Sequence, residues 1–297
     1  RSDHEIAPLP YQHCDAEIFG HELHTVSSKG HTRRKSTRKY NTVQNRYKTG
    51  RNRINRSPIE DENGFWSNRL CTLLIQIDHV LYNWIFEQKG ERNPKKTRSH
   101  LIGLMAKQVQ LVNDIYIPID FGGIRGVEFK IAAFKFWTKA DEEGNKYNTD
   151  TKSAQEFLEL NGQLNHEKYC LAYVFTYRDF AQSTQGLTYP CSLCRSFKVD
   201  HGSSNVGIVT FMAHGTTIPF NTWHLTLAHE LGHNLGSAHD DSPLETGETE
   251  TVKYPECKAN HEGYFIMHAL ASDGKKPNNH RFSPCSIRNI FRTLAVG

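Results

Sequence analysis

Three histidines and one glutamate stand at spacings that suit metal-dependent hydrolysis. His229, Glu230 and His233 lie within five residues, and His239 follows in the pattern HExxHxxGxxH. On a helix His229 and His233 are one turn apart, so both imidazoles project toward a single ion. Three histidine ligands leave the fourth tetrahedral position open, as in catalytic zinc sites. The pattern predicts one catalytic Zn²⁺ on these histidines, with Glu230, offset by about 100° from His229, as general base.

The sequence on either side of these residues predicts the helix and the turn that position their side chains. Residues 221–235 have the pattern of a helix that carries the first two histidines and the glutamate. Gly236 stands where the helix must end in a left-handed turn, which glycine adopts without steric cost. We expect this turn to bring the chain back and deliver His239 to the same ion.

The rest of the chain from about residue 68 alternates between strand-like and helix-like stretches, which predicts an α/β layer architecture. Residues 181–205 have a loop-like composition. For the last helix, Ser283 and Ser286 are both candidate N-caps. The predicted strands are residues 69–84, 127–138, 169–176 and 205–213, and the predicted helices are residues 100–115, 151–165, 221–235 and 283–295.

Composition separates a basic tail from the remainder. Residues 29–56 contain eleven Lys or Arg and no Asp or Glu, and residues 1–56 show no sustained hydrophobic period, so we expect them to be largely flexible. From residue 57 onward there are 24 basic and 27 acidic residues, so the folded part is mildly acidic. This balance argues against nucleic acid as a partner, and no apolar run is long enough to cross a membrane.

Several motifs resemble those of one protease family. The extended histidine motif with Tyr264-Phe-Ile-Met267 downstream is similar to the metzincin superfamily, in which the methionine packs under the zinc ligands as an apolar floor. Asp240, directly after the third histidine, resembles the adamalysin (ADAM) branch. Further strings resemble the Kuzbanian-type, alpha-secretase-like sheddases; they are Asp78-His79, 121–125, 157–161, 169–176 and 282–289. His268 departs from the pattern, because an aromatic residue is usual there.

This resemblance covers about residues 65–297 and implies a fold and an activity. The fold would be a metzincin catalytic domain with a mixed, twisted five-stranded sheet and a Met-turn. The activity would be zinc-dependent cleavage of peptide bonds in type I membrane proteins near the bilayer, Notch receptors among them. The enzyme would act at the cell surface, on the extracellular side of a single-pass membrane protein whose anchor lies outside this fragment.

The resemblance also implies roles for the cysteines and the tail. It favours disulfides between Cys71 and Cys170 and between Cys257 and Cys285, and the pairing of Cys191 and Cys194 stays open. Cys14 resembles a pro-domain cysteine whose thiolate can occupy the open zinc position, although a disulfide partner or an idle thiol is an equal alternative. Residues 1–56 would be the end of the pro-domain with its activation linker, and 57–297 the catalytic domain.

A proprotein convertase is the expected activating partner. Arg53 and Arg56 have the spacing that suits such an enzyme, and residues 33–39 offer a second candidate site.

Substrate binding is expected along a sheet edge. The strand Gly207, Ile208, Val209, Thr210, Phe211 precedes the active-site helix, and as an edge strand it could pair with an extended peptide. By analogy with the family, Ala269 and Leu270 would line an apolar pocket for the residue after the scissile bond, although plain packing is an equal alternative. An alternative function is a catalytically silent ADAM-like adhesion module, but such chains usually lose the glutamate or a histidine and this chain keeps all four groups.

Overall fold

The described part of the chain forms one mixed sheet covered by helices. This computed structural model describes residues 69–194, 202–241 and 254–296, together with the backbone of two short paired strands, β1 (Ile59–Glu60) and β2 (Trp66–Ser67). The predicted flexibility of residues 1–56 and the predicted role of Cys14 lie outside these residues. Within the described part, no helix combines the length and the apolar character that crossing a bilayer requires.

Five strands make the main sheet. They are β3 (Arg69–Ile77), β4 (Val127–Phe136), β5 (Leu171–Thr176), β6 (Gly186–Thr188) and β7 (Val206–Thr210). Their order is β4-β3-β5-β7-β6, and every neighbouring pair is parallel except β6 with β7, which is antiparallel. A short hairpin of β8 (Met212–Ala213) and β9 (Thr216–Thr217) follows β7. The predicted mixed five-stranded sheet is confirmed.

Helices cover both faces because the strands are apolar on both sides. Alternate residues of β3 and β5, including Leu73 and Tyr173, face a core formed with α1 (His79–Gln88), α2 (Pro94–Tyr116) and α4 (Trp223–Asn234). The residues between them, including Leu74 and Val174, face a second core beneath α3 (Ala154–Gly162). The last helix is α5 (Pro284–Val296).

The first predicted strand is wrong in its second half. β3 ends at Ile77, and Asp78 caps α1 by accepting a hydrogen bond from the backbone N–H of Leu81 at 2.9 Å. The buried residues that follow are Leu81, Tyr82 and Ile85, whose spacing of three to four places them on one helix face. An apolar run of this length fits a strand or a helix, and the cap decides between them.

The predicted edge strand is also wrong. Residues Gly207, Ile208, Val209 and Thr210 belong to β7, which lies between β5 and β6, and Phe211 follows the strand. The edge strand on this side of the sheet is β6, which lies inside the stretch predicted as loop. All five residues of β7 are buried, as expected of an inner strand with both backbone edges paired.

Candidate metal centre and active site

Helix α4 presents two histidines to one point. The helix runs from Trp223 to Asn234, and His229 and His233 lie one turn apart on it with their Nε2 atoms 3.0 Å from each other. Nearly the whole helix is buried, so these polar rings are held against the protein interior. The predicted helix is confirmed, and it carries two of the three proposed ligands on one rigid element.

A glycine turn brings the third histidine to the same point. Gly236 has φ of 90°, and its N–H donates to the carbonyl of His233 at 2.8 Å, while the N–H of Ser237 donates to the carbonyl of Gly232 at 2.9 Å. This pattern ends the helix and reverses the chain. His239 then places its Nε2 3.2 Å from that of His229 and 3.1 Å from that of His233.

Backbone carbonyls fix how two of the rings are protonated. Nδ1 of His229 lies 2.7 Å from the carbonyl oxygen of Ile266, and Nδ1 of His233 lies 2.7 Å from that of Ser237. A carbonyl can only accept, so each Nδ1 must carry the hydrogen and each Nε2 keeps a free lone pair. Such carbonyl partners are typical of histidines that bind metals.

The three nitrogens fit a zinc ion. Zinc binds imidazole at about 2.0–2.1 Å, so tetrahedral geometry sets its nitrogens about 3.3 Å apart, close to the distances seen here. Among the described residues, these three histidines are the group of side chains whose ligand atoms converge closely enough to hold a metal. Burial lowers the pKa of His233 to about 4 and lowers those of His229 and His239 well below the usual value, which favours the neutral form that ligation requires.

Glu230 lies beside this cluster in an environment that excludes water. Its side chain is fully buried, and neither carboxylate oxygen has a hydrogen-bond partner among the described residues. Burial raises the pKa of this carboxyl group well above its usual value. Burying a carboxylate without a partner costs free energy. Its presence next to three convergent imidazoles therefore indicates a functional site, in which a bound cation and a reacting water would be its partners.

The edge strand β6 closes over the glutamate. A Cβ added to Gly186 would lie 2.5 Å from Oε1 and 2.7 Å from Cγ of Glu230, so the strand approaches this closely only because residue 186 is glycine. Two residues on, Oγ1 of Thr188 accepts a hydrogen bond of 2.5 Å from Nδ2 of Asn234. The same amide group donates to Oγ of Ser192 at 2.7 Å. Asn234 therefore ties the end of α4 to β6.

Met267 lies beneath the histidines. It is fully buried, and a Cβ added to Gly232, between the two helical histidines, would clash with its Sδ. The carbonyl of Met267 accepts the N–H of Asp240 at 2.9 Å. The Asp240 carboxylate in turn accepts hydrogen bonds from Ser283 and Ser286 at the start of α5, and Ser283 caps that helix. The turn after His239, the methionine and the last helix are thus one connected unit.

The remaining predicted residues are not members of the metal-binding cluster. The structure forms the Cys71–Cys170 and Cys257–Cys285 disulfides that the resemblance implies. Ala269 and Leu270 are half-buried and follow Met267 after His268. Sequence reasoning missed Gly186, Asn234 and the hydroxyl partners of Asp240. Asn234 gave a signal as a polar residue in the last turn of a buried helix, and Ser283 and Ser286 gave one only as candidate N-caps, not as partners of Asp240.

Comparisons with known proteins agree with this site. A sequence model of the reprolysin-like metallopeptidase family M12B matches residues 95–295. The chain is 34% identical to a disintegrin and metalloproteinase domain-containing protein 10 homolog of Caenorhabditis elegans over 95% of its length. It is also 36% identical, over 75% of its length, to the human disintegrin and metalloproteinase domain-containing protein 10. The chain spans 33% and 30% of the lengths of these two relatives.

Proposed function

The chain belongs to the reprolysin-like M12B metallopeptidases and is a zinc metalloendopeptidase, and we propose that it releases the ectodomains of cell-surface membrane proteins. The observation that carries the chemistry is the triangle of Nε2 atoms with 3.0–3.2 Å sides beside the buried, unpartnered Glu230. The substrate class is proposed on the resemblance of the sequence motifs to the Kuzbanian-type sheddases. Notch-type receptors are the proposed substrates within it.

His229, His233 and His239 would hold one zinc ion. A bound zinc ion supplies Lewis-acid polarisation of the scissile carbonyl and makes a water molecule more acidic. We propose that Glu230 accepts a proton from the attacking water as the water oxygen bonds to the carbonyl carbon. Glu230 then donates this proton to the amide nitrogen as the carbon–nitrogen bond breaks, and the products are a carboxylic acid and an amine. Burial of the glutamate keeps bulk water from competing for the proton.

Strand β6 offers the proposed binding surface for the substrate. Among the described residues no strand pairs with its outer edge, and Gly186 brings this edge against Glu230. An extended peptide added there would form backbone hydrogen bonds and cross the face of the metal site. Met267 would act as the apolar floor that keeps the histidine rings in place.

Activation and location are proposed on the sequence resemblance. Residues 1–56 would be the end of a pro-domain, removed by a convertase after Arg56, with Cys14 as a candidate ligand of the open zinc position before removal. The catalytic domain of residues 57–297 would then face the extracellular side of the membrane. The two disulfides fit an oxidising compartment.

The test is cleavage of a quenched peptide that spans a juxtamembrane segment of a type I membrane protein. We expect the convertase-treated chain to cleave it, a zinc chelator to abolish cleavage, and added Zn²⁺ to restore it. The same preparation should release the ectodomain of a membrane-anchored reporter that carries this segment. Absence of peptide cleavage despite one bound zinc per chain would contradict the proposal and favour the alternative function, a catalytically silent adhesion module.

A further inference from the structure

A large cavity opens beside the proposed substrate edge. Its volume is about 1070 Å³, and it lies among Gln185, the β8–β9 hairpin, the start of α4 and the segment of residues 259–279. This is ample for several peptide residues, because sites for drug-sized ligands have volumes of about 300–1,000 Å³.

The cavity adjoins the reacting centre through one residue. Gln185, which lines it, directly precedes Gly186, whose backbone contacts Glu230. The Oε1 atom of Gln185 also accepts a hydrogen bond of 3.3 Å from Thr226 on α4. Antiparallel pairing is the more common arrangement of neighbouring strands, and an antiparallel substrate on β6 would lead its carboxyl-side residues toward Gln185 and this cavity.

The wall of the cavity mixes polar and apolar groups, and apolar groups make up the larger part of its accessible surface. Large apolar side chains are confined to Ile218 and the exposed Tyr264 among its described lining. The polar wall residues include Gln185, Thr216, Thr217, Asn221, Thr222, Asn260, Ser272 and Asn279. Ala269 and Leu270, expected to line an apolar pocket, immediately precede its wall residues Ala271 and Ser272.

Among the wall residues that the structure describes, the charged groups leave one cation in excess. Asp273 is paired with Lys275 at 2.8 Å, and no carboxylate of the described residues lies within 4.0 Å of the Nζ of Lys276. The aliphatic part of the Lys276 side chain packs on Gly263: a Cβ added to Gly263 would lie 2.8 Å from the Cβ of Lys276. The Nζ of Lys276 donates to the carbonyl of His261 at 3.3 Å. His214 also lines the cavity, and its Nδ1 lies 2.7 Å from Oγ of Ser183.

We propose that this cavity receives the residues on the carboxyl side of the scissile bond and selects an acidic side chain there through Lys276. The inference rests on the proposed function and names the substrate chemistry of the same site. Because Lys276 is exposed, its attraction to a carboxylate is screened by salt, so the preference weakens as ionic strength rises.

The experiment compares nine variants of one quenched peptide, in which Glu, Gln or Lys stands at one of the three positions after the cut. At one position, wild type should cleave the Glu peptide with kcat/KM roughly threefold to tenfold above that of the Lys peptide. Lys276→Gln should remove this preference and Lys276→Glu should reverse it. Lys168→Glu, an exposed lysine outside the cavity lining, is the charge-matched control and should keep the preference.

Two outcomes overturn the inference and are distinguishable. Equal cleavage of all forms by wild type and Lys276→Glu, with turnover intact, excludes selection by charge and leaves the protease assignment in place. Cleavage of no peptide by zinc-loaded wild type overturns the proposed function and this inference with it.

Discussion

Replacing Glu230 with glutamine is expected to lower kcat by about 10²–10⁴-fold while zinc stays bound, because an amide of the same shape cannot accept the proton of the attacking water. The histidine cluster does not depend on Glu230, whose carboxylate makes no hydrogen bond with a described residue. The variant should unfold no more readily than wild type, since glutamine removes a buried charge without removing a hydrogen bond.

The measurement is kcat on the quenched peptide together with the molar ratio of bound zinc. Glu143→Gln is the control, because it makes the same chemical change on an exposed side chain far along the chain from the motif. Wild-type turnover by the Glu230→Gln variant, with zinc bound, would show that another group takes the proton.

The second large effect is expected from Gly186→Ala, which should lower kcat by about 10²-fold with little change in KM. The new methyl group would need the space of Oε1, Cγ and Cδ of Glu230, at 2.5–2.8 Å. These atoms form the end of a flexible side chain, so the fold can accommodate the methyl group by moving the glutamate. A displacement of about 1 Å in a catalytic group can cost about 10²-fold in rate.

The informative result is a separation of activity from stability. Thermal unfolding and zinc content of Gly186→Ala should stay close to those of wild type, because the histidines and their carbonyl partners are not displaced. Gly103→Ala is the matched control: a Cβ there meets no atom within 4 Å, and on α2 it should be neutral or stabilising by up to about 1 kcal/mol. Unchanged kcat in Gly186→Ala would mean that the position of Glu230 does not depend on β6.

The sequence was most informative where a motif is local. The spacing of His229, Glu230 and His233 needs only a helix to become a metal site, and Gly236 needs only its own φ of 90° to end that helix. The strands at residues 127–136 and 171–176 follow from short-range patterns in the same way. The disulfide pairs and the role of Met267 came from family resemblance, since spacing alone does not determine cysteine partners.

The tertiary structure decided which strand lies at the edge of the sheet. β7 has the strong apolar pattern and β6 has three residues between loops, so the sequence favours the wrong one. Strand order depends on pairings between residues far apart in the chain, here β6 with β7, and these pairings leave no periodic signature in either segment.

The sequence by itself therefore determined the metal-binding chemistry of this protein, because ligand spacing on one helix is a local property. Only the tertiary structure showed what surrounds Glu230: the edge strand that approaches it through Gly186, the buried space that raises its pKa, and the cavity that begins at Gln185. Each of these brings together segments separated by about 30 residues or more, and burial and shape arise only when such segments pack.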